Sequence, residues 1–76
     1  MPHIDIKCYP KHLTPEEFDT FVKDLTNLAV THLKAQPSDV SINYTEIPAD
    51  EWKAEVYDKE ILPNYDHLAK KPGYTM

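Results

Sequence analysis

The sequence predicts an α/β fold: a single βαβ protomer with C-terminal helices, whose sheet grows to four strands when two copies pair. Three observations carry this. Two short stretches alternate apolar and polar residues with period two. A long amphipathic helical stripe separates them. With 76 residues, the chain is too short to stabilise a two-stranded sheet by its own core.

The first strand is Pro-His-Ile-Asp-Ile-Lys-Cys-Tyr, residues 2–9. Pro2, Ile4, Ile6 and Cys8 point one way, and His3, Asp5, Lys7 and Tyr9 the other. Pro10 ends the run because it cannot donate to the ladder. Thr14-Pro15-Glu16-Glu17 is a helix start: Thr14 suits the N-cap, Pro15 the first helical position, and Glu17 completes a capping box. Phe18, Phe21, Val22, Leu25, Leu28, Ala29 and Leu33 then draw one apolar face over about five turns. Pro37 places the helix end near Ala35.

The second strand covers residues 40–47, with Val40, Ile42 and Tyr44 on one face and Ser41, Asn43 and Thr45 on the other. Asp50 is an N-cap for a helix from Glu51 to about Leu62. Pro63 breaks it and starts a shorter helix to about Lys70, and Pro72-Gly73 marks a turn. No repeat, linker or low-complexity segment divides the chain, so residues 1–76 read as one domain. A helix of this length makes the strands parallel with a right-handed crossover. Pairing strand edges across a two-fold axis repairs the marginal sheet and removes its exposed edges.

Composition excludes several functions. Thirteen acidic against eight basic residues give a net charge of −5, which argues against nucleic acid as a partner. One glycine cannot build a phosphate-cradling loop. A single cysteine cannot close an intrachain disulfide, and Cys8 reads as a small buried hydrophobe. The histidines (His3, His12, His32 and His67) lack metal-ligand spacing, so neither metal nor cofactor is expected. With no signal peptide and no apolar run near 18 residues, a cytoplasmic protein with no membrane partner is expected.

Two residues suggest chemistry. The chain begins Met-Pro, and proline is small enough for the initiator methionine to be removed. Pro2 would then carry a free secondary amine at the start of a strand. An α-amino group has a reference pKa of about 8, and apolar surroundings move it toward neutrality. Such an amine is a general base that needs no titratable partner. If Met1 stays, the nitrogen is a tertiary amide and that form is inactive. Trp52, the only tryptophan, is either a core or interface aromatic or an apolar wall for a flat substrate. Lys70-Lys71 complements the dipole of the last helix and is a candidate anion contact.

The opening Met-Pro-His-Ile-Asp-Ile-Lys-Cys-Tyr, the capped helix, Ser-Ile-Asn-Tyr-Thr-Glu-Ile, Trp52 and the closing Lys-Lys-Pro-Gly-Tyr together resemble the 4-oxalocrotonate tautomerase superfamily. Within it the chain is most similar to the PptA subgroup of small bacterial tautomerases, over essentially its whole length. The resemblance implies a βαβ protomer assembled as a dimer or a trimer of dimers. It implies that Pro2 shuttles a proton between oxygen and carbon of an enol, and that Trp52 lines the pocket. Other members hold substrate carboxylates with two arginines. The matching positions here are His12 and Ser41, and all eight cations are lysines. Lys11 and His12 are therefore the expected substrate contacts. A monocarboxylate bearing a flat apolar group, such as a phenylpyruvate-like 2-oxo acid enol, fits Trp52 and this sparse cation set. The alternatives are a non-catalytic dimeric module of the same fold, or a hydratase or dehalogenase of the same superfamily. The polar strand face, with Asp5 and Lys7, favours a homodimer over a hexamer, because stacking on that face would desolvate both ions.

Overall fold

A computed structural model describes the whole chain, Met1–Met76. Two strands, β1 (His3–Cys8) and β2 (Ser41–Glu46), form one sheet. The Ser41 amide donates to the Pro2 carbonyl at 3.2 Å, and the Ile47 amide to the Cys8 carbonyl at 2.8 Å. From residue 2 to 8 on one strand the partner runs from 41 to 47, so the strands are parallel. Between them lies helix α1 (Pro15–Leu33).

The capping box forms as expected. The Glu17 amide donates to Thr14 Oγ1 at 3.1 Å, and the Thr14 amide to Glu17 Oε1 at 2.9 Å. Two of the helix-start donors are thereby satisfied, with Glu16 and Glu17 facing the positive end of the dipole. The helix stops at Leu33, short of Ala35. Lys34 takes the left-handed conformation (φ 55°, ψ 43°), and Gln36 is extended ahead of Pro37 (φ −81°, ψ 147°).

The chain packs as two compact units, Met1–Ile6 with Lys11–Thr45 and Lys7–Pro10 with Glu46–Met76. In the first, α1 covers the apolar strand face. Phe18 and Phe21 meet the Tyr44 ring edge-on, with centroids 5.0 and 6.2 Å away, and Ala29 is buried. Aromatic pairs of this geometry add about 0.5–1.5 kcal/mol beyond area burial. The other face is polar: His3 Nδ1 lies 2.6 Å from Ser41 Oγ, and Asn43 Nδ2 donates to Asp5 Oδ1 at 2.9 Å. In the second unit Val56 and Tyr57 are buried, and Lys7 Nζ donates to both carboxylate oxygens of Glu60 at 2.8 and 2.9 Å.

The C-terminal half differs from the expected pair of α-helices. A 3-10 turn, Ala49–Glu51, leads into a π-helix, Lys53–Ile61. The Leu62 amide accordingly reaches five residues back, to the Tyr57 carbonyl at 2.9 Å. Lys53 pairs with Asp58, five residues on, at 2.9 Å, and Lys59 with Glu55 at 3.1 Å. These exposed pairs are worth little each and accompany the wide turn without causing it. The expected last helix shrinks to the single turn Tyr65–His67. No helix is long and apolar enough to cross a membrane.

Candidate functional site

The N-terminus is built by strand pairing. Met1 is 99% exposed, while Pro2 beside it is half-buried and tied to β2 through its carbonyl. The nitrogen of Pro2 therefore sits at a fixed point at the head of β1, and the residue acylating it projects into solvent.

Lys11 and His12 lie in the loop between β1 and α1, both exposed. His12 has a left-handed backbone (φ 54°), a conformation in which histidine is enriched over most residues. Pro2, Lys11 and His12 belong to the first compact unit, and Trp52 to the second.

Within the second unit, Trp52 lines an open cleft of about 540 Å³. The end of β1 supplies Lys7 and Cys8, followed by Tyr9, and the C-terminal tail supplies Tyr74–Met76. The Trp52 indole is held from two sides. Tyr9 packs against it in a T-shaped contact, with centroids 5.2 Å apart and planes at 89°. Trp52 Nε1 donates to Tyr74 Oη at 3.0 Å. Tyr74 in turn lies against the buried Tyr57, centroids 5.8 Å apart and planes at 37°. The cleft is mostly apolar, and its cation, Lys7, is engaged by Glu60. It suits a planar apolar group better than a polyanion.

Lys70 and Lys71 follow a turn and not a helix, which corrects their expected dipole role. Lys71 Nζ instead stands 5.5 Å over the Tyr65 ring, within cation–π range.

Reading the sequence alone misses Tyr9 and Tyr74 as members of the aromatic group. Tyr9 directly follows an alternating strand and carries no separate signal. Tyr74 stands in the closing Lys-Lys-Pro-Gly-Tyr segment, but its partners Trp52 and Tyr57 lie far back in the chain.

The family model described as "Tautomerase enzyme" matches residues 2–59. Among curated proteins, the chain is 41% identical over 76 residues to Tautomerase PptA of Enterobacter sp. (strain 638), and 45% identical over 76 residues to Tautomerase PptA of Klebsiella pneumoniae (strain 342). Both matches cover 100% of each chain. Tautomerase PptA of Pectobacterium carotovorum subsp. carotovorum (strain PC1) is 44% identical over 75 residues, 99% of each chain.

Proposed function

This chain belongs to the tautomerase family, whose members are enzymes of the isomerase class, and from that premise we propose that it is a cofactor-free keto–enol tautomerase with Pro2 as its general base and acid. The observation that carries this reading is the N-terminal geometry. Met1 stands free in solvent, and Pro2 is anchored by the Ser41 amide at the start of β1. Removing Met1 leaves a secondary amine at that fixed point. The family match opening at residue 2 supports the same reading.

The substrate we propose is the enol of a small 2-oxo acid with an aromatic group. The neutral Pro2 nitrogen takes the enol hydroxyl proton. As the C=O double bond forms, the electron pair of the C=C bond takes the proton back from the prolinium at carbon. The amine is regenerated, and one proton has moved from oxygen to carbon. Trp52 supplies the apolar wall for the ring, supported by its place in the aromatic cleft. Lys11 and His12, exposed in the loop before α1, are the proposed contacts of the carboxylate. The single domain of residues 1–76 works as a cytoplasmic homodimer, its sheet completed to four strands by edge pairing.

The test is ketonisation of the enol of phenylpyruvate. Protein with Met1 removed, as established by intact mass, turns over. Protein with Met1 retained loses turnover by roughly 10²–10⁴-fold, the usual contribution of a positioned acid–base group. Equal rates from the two forms refute the mechanism.

A further inference from the structure

We propose that Tyr74 is a specificity-determining positioning residue: its hydroxyl orients the Trp52 indole so that the cleft offers an incoming ring an apolar face. The inference rests on the reading of Trp52 as the substrate wall. It concerns the tail, which lies past residue 59 where the family model ends, although the curated relatives match over the whole chain.

The argument begins with the indole. Its Nε1–H is a donor with no acceptor capacity, so at the half-buried Trp52 beside an apolar cleft that hydrogen goes either to a protein acceptor or to water. Tyr74 Oη supplies it at 3.0 Å. The tail residue is itself held, because its ring lies against Tyr57, which is 2% exposed in the π-helix Lys53–Ile61. Tyr9 meets the indole perpendicularly, which with the hydrogen bond fixes the plane of the ring. The chain of contacts from Tyr57 through Tyr74 to Trp52 transfers the rigidity of a buried residue to a half-buried wall. Without the hydroxyl, the N–H turns to water or draws water into the cleft. An aromatic ligand then has to displace that water and pin the indole on binding.

Tyr74→Phe keeps the ring against Tyr57 and removes only the acceptor. With Trp52 the only tryptophan, intrinsic fluorescence reports its surroundings without any substrate. Tyr74→Phe is expected to alter the emission maximum and to increase acrylamide quenching. For the enol of phenylpyruvate, KM rises roughly three- to tenfold, the loss of one hydrogen bond's net effect, with kcat held. For the enol of 2-oxopentanoate, which has no ring, KM stays within about twofold. In a Trp52→Phe background, which has no Nε1–H, adding Tyr74→Phe has no further effect on KM, whereas a general loss of packing would add.

Unchanged fluorescence in Tyr74→Phe overturns the proposal directly. So does a KM increase that is equal for both enols or persists in the Trp52→Phe background. If Trp52→Ala leaves KM for the aromatic enol unchanged, the wall reading itself has failed, and the role of Tyr74 in specificity falls with it. If Trp52→Ala raises KM while Tyr74→Phe shifts emission but not KM, the wall stands and only the positioning role is refuted.

Discussion

Asn43→Lys tests which part of the sheet meets a second copy. Large apolar side chains stand in solvent on the single chain: Leu28, Leu33 and Leu62 are 55%, 63% and 49% exposed, apolar surface of the kind that a second copy covers. Asn43 lies on the opposite, polar sheet face, where its amide donates to Asp5. That exposed bond contributes on the order of 1 kcal/mol. A lysine in its place can pair with Asp5 for a similar ~0–1 kcal/mol. In a dimer joined by strand edges, the substitution therefore leaves assembly within about 1 kcal/mol of the parent. In a hexamer stacked on the polar face, the new ammonium is desolvated at a cost of several kcal/mol. The assay is light scattering at micromolar concentration for both proteins, with about twice the chain mass expected in each. A six-chain parent that falls to two chains in the variant refutes the face assignment. A single-chain mass refutes self-pairing as the way the exposed surface is covered.

Three further outcomes are expected. With Met1 removed, kcat/KM falls tenfold per pH unit below the pKa of the Pro2 amine, because protonation occupies the lone pair that accepts the enol proton; a flat profile down to pH 5 contradicts an amine base. Trp52→Ala loses the Tyr9 contact and the Tyr74 hydrogen bond, so KM for an aromatic enol rises at least about tenfold and stability falls by roughly 2–3 kcal/mol, read by turnover and by urea unfolding. Lys34→Gly relieves a left-handed backbone that costs an L-residue ~1–2 kcal/mol and gives part of this back as glycine entropy, for a net gain of about 0.5–1 kcal/mol and a Tm higher by a few degrees.

The fold's first half was legible because its signals are local. Period-two alternation gave both strands to within a residue or two, and Thr14 with Glu17 gave the helix start with its reciprocal bonds. The helix end was legible through Pro37 but not to the residue, since Lys34 takes a conformation usually left to glycine. The segment after Asp50 reads as helical from its sequence, yet its helix type is not legible there. The α- and π-helix differ in which carbonyl each amide meets, and side-chain patterning over nine residues does not separate them. At the site, Pro2 and Trp52 stand out as residue types with unusual chemistry. The surroundings of Trp52 do not, because Tyr9 and Tyr74 reach it through tertiary contacts that no local pattern encodes.

The π-helix also bears on how this chain tolerates changes in length. Its amides bond five residues back, so deleting one exposed residue, such as Asp58, lets the same backbone groups close four-residue rings without orphaning a donor. The helix survives such a deletion, but everything after it shifts in register. Glu60 is drawn away from Lys7, and the tail that brings Tyr74 to Trp52 is re-aimed. Insertions and deletions between Lys53 and Ile61 would thus be filtered by their effect on the aromatic cleft more than by folding, and natural length variation in this segment should track changes in substrate preference.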